Sequence, residues 1–414
     1  MVNSTITHHS ETPEIDEEMS LTPENLVVLT WLRLIHNDLP SLVKPYGSEF
    51  RSRSSHSCKK YVPQPMRRSC VLWHPNSGCP LQTFLTTHPN SPQQQAGRNY
   101  YNFLSGGQQI SSGVDMAEAF NKYFYSTFTH APEVPLDAFT LPDDRILVLN
   151  SLVLCEDEVY NVLLNIDPSK ALGSDGLPTI LLKTCARELT PLCALLNLSL
   201  AEGKIPTKWK DALVIPVHEK GKKEDVTNHT PISLLCIVSK VLERCIFKHL
   251  KDFLRPFVNE QHGFLQGRST VTQLLVFYHE IGQSLDKGIQ SDIAYLDLAK
   301  AFDSVSQQRL LLKLCRYGVS GKLLQWFESY LGGRGQQCLV HGFTYSHSPV
   351  PSGVRQGSIV GPLMFLVYVN NLPPVIQNRI SLFADDSKCS SVIESPQDCE
   401  SLQKTLDRSA WLER

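Results

Sequence analysis

Ser381-Leu382-Phe383-Ala384-Asp385-Asp386-Ser387-Lys388 decides how this chain is read. Two adjacent aspartates stand between short apolar runs, Ile380 to Ala384 before them and Ser390 to Ile393 after. That pattern predicts a β-hairpin with both carboxylates at its tight turn. An ordinary turn fits the same residues, because Asp bonds its own backbone and tolerates unusual dihedrals. A third carboxylate separates the two readings. Asp297 follows Ile293-Ala294-Tyr295-Leu296, a run whose near-continuous apolarity predicts a central strand buried on both faces. A charge there must be paired, bonded or metal-bound, since a bare buried carboxylate costs several kcal/mol. A satisfied core Asp remains one explanation. Ligation of Mg²⁺ (or Mn²⁺) by a few carboxylates plus substrate phosphates is the other.

Outward from Asp297, Ser304-Val305-Ser306-Gln307 predicts a capping box opening a helix from Val305 to Arg316, closed by Gly318. Ser352-Gly353-Val354-Arg355-Gln356-Gly357-Ser358-Ile359-Val360-Gly361-Pro362 then forms a glycine-rich turn leading into the apolar stretch Leu363 to Val369. Such a turn brings backbone N–H groups close to phosphate or base. It is not a Walker loop, because no Gly-Lys-Ser/Thr follows.

The chain has 414 residues, 42% of them apolar and 19% charged, with a formal net charge of −2. That is a globular composition with room for two or three packed units. No global basic field exists, so nucleic-acid binding has to rest on local patches. Twelve cysteines occur without CxxC pairs, and Cys70 and Cys79 around His74 match no common zinc spacing, which predicts free thiols in a reducing compartment. The N-terminus lacks a signal-peptide core, and Ile359 to Val369 is too short to span a bilayer. The expectation is a soluble, intracellular protein without membrane contact.

Residues 1–100 differ from the remainder. Thr22-Pro23-Glu24 starts a helix with Leu26, Leu29, Trp31, Leu32 and Ile35 on one face. After Pro40 the composition predicts an irregular, largely disordered region or linker, whose Arg51, Arg53, Lys59, Lys60, Arg67 and Arg68 read as solvated charge as readily as a nucleic-acid contact. Residues 101–150 read as a helical linker in which Met116, Phe120, Phe124 and Phe128 recur at helical spacing. Helical patterns follow at Glu156 to Ile166, Leu177 to Arg187 and Pro231 to His249, the last with Leu235, Val238, Leu242 and Ile246 on one face. Asp211 to Pro216 reads as a strand, and residues 290–388 alternate strand with helix. The fold class is α+β.

The order of these motifs resembles the reverse transcriptases of non-LTR (LINE-type, jockey-like) retrotransposons, from about Ala117 onward. Tyr295 to Val305 is similar to that family's first catalytic motif, Ser352 to Pro362 to its second, and Phe383-Ala384-Asp385-Asp386 to its third. Upstream, Ala171 to Pro178, Ile205 to Lys210, Pro231 to Leu235 and Gly267-Arg268-Ser269-Thr270 resemble its fingers segments in order. The resemblance implies a right-hand polymerase with fingers over 151–290 and palm over 291–414. Asp297 and Asp385 would bind two Mg²⁺ ions, with Asp386 completing the acidic cluster. The implied partners are an RNA template, a DNA primer and dNTPs.

The resemblance also implies that Phe302 sits where an aromatic ring excludes a 2′-hydroxyl, although packing in the core accounts for it too. Gln356 and Gly357 would line the nascent base pair, and Arg268 would contact the dNTP. Lys220, Lys222 and Lys223, grouped with Lys208 and Lys210 as one basic cluster, would meet template phosphates unless they form a solvated loop. Three departures bear on activity. Leu265 replaces an expected Arg, Thr230 in His229-Thr230-Pro231 replaces another, and the sequence closes at Arg414 in a helix predicted from Asp398 to Leu412, before a thumb. A truncated, inactive element product that at most binds nucleic acid is therefore the alternative. Phe302 argues against a third reading, an RNA-templated RNA polymerase.

Overall fold

The computed structural model describes residues 103–129, 147–189, 191–258, 260–375 and 378–412. The helix expected from Thr22 and the disorder expected across residues 1–100 lie outside the described residues. The chain runs through the ribbon β1 (Phe103–Ser105) and β2 (Gln108–Ile110), then the helices α1 (Gly113–Ser126), α2 (Glu156–Leu164), α3 (Thr179–Thr184) and α4 (Leu192–Glu202). Strands β3 (Asp211–His218) and β4 (His229–Leu235) precede α5 (Ile237–Leu254) and α6 (Thr270–Asp286). Next come β5 (Gln290–Leu296), α7 (Gln307–Arg316), α8 (Gly321–Leu331), β6 (Arg334–Val340), β7 (Phe343–Thr344) and β8 (Ser348–Val350). The last elements are α9 (Gly361–Val369), α10 (Leu372–Val375), β9 (Arg379–Phe383), β10 (Asp386–Ile393) and α11 (Pro396–Leu412). The mixture of helix and sheet is α+β, as expected. Among the described residues, no helix is long and apolar enough to cross a membrane.

Besides the two-stranded β1–β2 ribbon, the described strands form two larger sheets. One is five-stranded, ordered β4-β3-β6-β7 with β8 also on β6, and β3 pairs parallel to β6. The other is three-stranded and antiparallel, ordered β5-β10-β9. Helix α1 covers the larger sheet. Its Ser112 cap accepts from the Asp115 amide, and Met116, Phe120 and Phe124 recur every fourth residue to bury against Ala212, Val214, Leu235, Cys338 and Val340. The segment expected as a helical linker therefore holds a β-ribbon as well, and its helix is part of the core.

Several boundaries differ from expectation. Pro231 to Leu235, predicted as the beginning of a helix, is strand β4, and Leu235 packs under α1 while Val238, Leu242 and Ile246 are buried on α5. A short apolar run fits either period, and antiparallel pairing with β3 decides it. The Asp175 carboxylate fills the cap position of α5 from a distance, accepting from the Ile237 amide at 2.8 Å. Helix α7 is capped by Ser306, which accepts from the Arg309 amide, so the predicted Ser304–Gln307 box does not form. Gly318, with φ 99°, ends that helix as expected.

Beneath the glycine-rich turn lies a buried polar lattice. Glu243 accepts from the Tyr330 hydroxyl at 3.0 Å and the Ile359 amide at 2.6 Å. Arg355 donates to the carbonyls of Trp209 and Lys210, and Arg334 donates to those of Ser352 and Gly353. Each charge is held by backbone dipoles or a hydroxyl, which is how buried ions are tolerated. The turn is thus fixed from below before any ligand arrives.

Candidate active site

The hairpin at Asp385 is formed by β9 and β10. Phe383 pairs with Asp386, leaving Ala384 and Asp385 as a two-residue loop. Of the two aspartates, only Asp385 is therefore in the turn. Asp386, expected there too, is the first residue of β10. Ala384 has φ +55°, and the positive value at the first loop position alone is the pattern of a type II′ turn. An L-residue is disfavoured in that conformation, so something nearby has to hold it.

Pairing also delivers the third carboxylate. Leu296 lies opposite Ser387, and continuing that antiparallel register sets Asp297 across from Asp386. The reason it lies there differs from the one expected. Strand β5 is an edge strand of its sheet, with Ile293 37% and Tyr295 69% exposed, so the apolar run is not a doubly buried central strand. Asp297 and Asp386 are exposed and Asp385 is half-buried. Desolvation, then repulsion from Asp386, Asp297 and Glu219, pushes the Asp385 carboxyl above its usual range. Glu219 was invisible as a site residue in the sequence. It accepts a hydrogen bond from the Thr230 hydroxyl at 2.6 Å, and nothing in its local pattern marks it.

All of these donors are carboxylate oxygens, the chemistry that suits Mg²⁺ or Mn²⁺, and their mutual repulsion is what a cation relieves. Among the described residues, no three such side chains are placed so closely that they already enclose an ion.

The glycine-rich turn is bolted to the segment after Asp297. The Gly353 amide donates to the Val305 carbonyl at 2.7 Å, the Val354 amide to that of Phe302 at 2.8 Å, and the Ser352 hydroxyl to that of Asp303 at 2.6 Å. On its other side the Ser233 amide donates to the Gln356 carbonyl at 2.8 Å. Gly357 has φ +105° and lies against β4. The partly buried Phe302 ring stacks on Phe365 of α9, with centroids 4.7 Å apart, and meets Phe264 edge-on. Packing thus accounts for part of what Phe302 does.

Burial lifts the Asp303 carboxyl to about 6, against the pull of Lys300, Thr127 and Arg334. Its folded value exceeds the ordinary 3.8, so the native state binds the proton more tightly. Stability then falls as pH rises from about 4 to about 6 and stays lower above that window. Asp303→Asn is expected to flatten this slope and add about 2 kcal/mol at pH near 7.5. Urea unfolding at pH 5 and 7.5 checks it, and identical pH slopes in both proteins would count against the assignment.

The expected cations are only partly grouped. Lys220, Lys222 and Lys223 share the exposed connection between β3 and β4. Lys208 and Lys210 precede β3, so an eight-residue strand, about 25 Å long at 3.3 Å per residue, separates the two sets. They do not form one cluster. Burial, with Arg355 nearby, also lowers the Lys210 amine from its ordinary value. Arg268 precedes the Ser269 cap of α6 and donates from Nη1 to the Gln261 carbonyl at 2.6 Å.

Residues 221–410 match a family model described as reverse transcriptase (RNA-dependent DNA polymerase). The chain is 28% identical over 286 residues to the probable RNA-directed DNA polymerase from transposon BS of Drosophila melanogaster, covering 65% of the chain and 31% of that relative. It is 28% identical over 317 residues to the RNA-directed DNA polymerase from mobile element jockey of the same fly, covering 72% of the chain and 34% of that relative. A third similarity, 29% over 239 residues, is to the probable RNA-directed DNA polymerase from transposon X-element, covering 55% of the chain and 26% of that relative. The chain spans about a third of the length of these curated relatives.

Proposed function

We propose that the chain carries a reverse transcriptase domain like those of the non-LTR retrotransposon RNA-directed DNA polymerases it is similar to, and that it extends a DNA primer on an RNA template with dNTPs. One observation carries the reading to particular residues. The β5–β10 register and the Ala384–Asp385 turn collect Asp297, Asp385 and Asp386 from distant parts of the chain at one sheet end. Right-hand architecture, with fingers over 151–290 and palm over 291–414, belongs to the same reading.

Asp297, Asp385 and Asp386 would hold two Mg²⁺ or Mn²⁺ ions, whose chemistry is to acidify the primer 3′-hydroxyl and neutralise the departing pyrophosphate. The chain's own residues supply the geometry. Phe302, held against Phe365, would occupy the space a 2′-hydroxyl needs. Gln356 and Gly357, fixed between β4 and the Phe302–Val305 segment, would line the nascent base pair. Lys220, Lys222 and Lys223 would meet template phosphates as point charges, worth most at low salt. Arg268 is implied as a dNTP contact, and its bond to Gln261 gives it a supporting place beside the hairpin as well.

Primer extension on an RNA template tests the proposal. The expected result is template-dependent extension with dNTPs exceeding that with rNTPs, and abolished by chelation of divalent metal. Steeply salt-dependent filter binding with no extension would overturn it in favour of a non-catalytic nucleic-acid binder. Phe302→Val is expected to lower dNTP-over-rNTP selectivity by about tenfold to fiftyfold, a difference of roughly 1.4–2.3 kcal/mol. Competition between dCTP and CTP in a single-nucleotide assay measures this, and unchanged selectivity would leave Phe302 with packing alone.

A further inference from the structure

We infer that Gln261 is a positioning residue for Asp385: its side-chain amide brackets Ala384 and so sets the plane of the peptide from which Asp385 projects. The inference rests on the proposed role of Asp385 and adds what holds it in place. Gln261 is 2% exposed and 123 residues from the hairpin in sequence. Its Oε1 accepts from the Ala384 amide at 2.7 Å, from Gly263 at 2.9 Å and from His262 at 3.0 Å. Its Nε2 donates to the Ala384 carbonyl at 3.1 Å. One side chain therefore grips the peptide on either side of the positive-φ residue.

The surrounding backbone makes the grip specific. Gln261 forms a parallel bridge with Leu382, and the His262 amide donates to the Leu382 carbonyl at 3.0 Å. Gly263 touches the turn so closely that a Cβ would stand 2.4 Å from the Ala384 nitrogen. Arg268 bonds the Gln261 carbonyl at 2.6 Å, tying the grip to the start of α6. A left-handed alanine in a two-residue turn has no local reason to persist. Both polar ends of a buried amide satisfied on that alanine supply the reason. Loss of the amide frees the 384–385 peptide to rotate, and the Asp385 carboxylate moves with it.

Gln261→Met keeps volume and removes all four hydrogen bonds made by the side chain, while the backbone carbonyl stays available to Arg268. Gln261→Glu keeps the acceptor, loses the donor to the Ala384 carbonyl and adds a charge beside it. In the full chain, hydrogen exchange of a peptide covering 380–388 is expected to quicken at least about tenfold in Gln261→Met, with the melting temperature lowered but the protein still folded at the assay temperature. Mn²⁺ titration followed by electron paramagnetic resonance is expected to show an Asp385-dependent site whose half-saturation rises about fivefold or more. In primer extension, kcat is expected to fall about tenfold to a hundredfold with the dNTP KM within about threefold, the split that belongs to misplaced chemistry. Gln261→Glu is expected to lose at least as much, since it reverses the interaction at the Ala384 carbonyl.

Wild-type exchange at 380–388, or wild-type kcat and Mn²⁺ affinity, in Gln261→Met would overturn the inference. A kcat loss matched by an equal loss of folded protein would overturn it too. Failure of the underlying reading looks different: wild type and Asp385→Asn would then bind Mn²⁺ alike and extend no primer. Exchange at the hairpin would still decide whether Gln261 holds the turn.

Discussion

Asp385→Asn is expected to lower dNMP incorporation by about a thousandfold or more, some 4 kcal/mol of transition-state stabilisation. Asn keeps the shape and the turn propensity of Asp, so the hairpin should survive. What it loses is the anionic oxygen that the proposed metal chemistry requires. The substitution should not weaken the fold. Burial and repulsion from Asp386, Asp297 and Glu219 already raise the Asp385 carboxyl, so ionising it costs more in the native state than in the unfolded chain. Removing that charge should leave thermal stability equal or slightly higher above the normal carboxylate range. Single-nucleotide incorporation and thermal melting on the same preparations check both halves. Equal activity in the two proteins would remove Asp385 from the chemistry.

Gly357→Ala is expected to destabilise the protein by about 4 kcal/mol, an effect of backbone geometry alone. The residue has φ +105°, and a Cβ there would stand 2.5 Å from the Ser233 carbonyl oxygen on β4. The methyl group cannot be accommodated by a side-chain shift, because the obstacle is main chain. Either the turn leaves β4, breaking the bond from the Ser233 amide to Gln356, or the strand bends. A second glycine serves as the control. Gly267 also has positive φ, at +81°, but nothing lies within 4 Å of its Cβ position, so Gly267→Ala should cost only about 1 kcal/mol. Urea unfolding of both variants separates strain from collision, and equal losses would refute the argument.

These residues also show what sequence could and could not reveal. The β9–β10 hairpin and α11 were legible, since a two-sided apolar alternation and a helical period are local properties. Its turn was placed one residue too far along, because two adjacent aspartates suit a loop equally well and only pairing of Phe383 with Asp386 decides between them. The apolar run before Asp297 signalled a strand correctly and its surroundings wrongly. Periodicity reports how apolar a strand is, not whether a neighbour covers it. Lys210 and Lys220 looked adjacent because their spacing along the chain is short, whereas an extended strand converts ten residues into a long distance. Gln261 and Glu219 were missed for the opposite reason. The Ala384 peptide that Gln261 holds and the Asp385 carboxylate that Glu219 repels lie far away in sequence, and neither residue carries a local signature.

The position of β5 at the edge of its sheet has a consequence for the molecule in solution. Among the described residues, no strand pairs with its outer side, and the adjoining α6 exposes Val271, Leu275, Tyr278 and Leu285 to solvent. A free strand edge beside exposed apolar side chains is a template on which another chain can add. The end of that edge is Asp297. A chain added along β5 would therefore crowd the carboxylate cluster itself, and occupancy of the acidic site would then depend on protein concentration, with dilution favouring an open site.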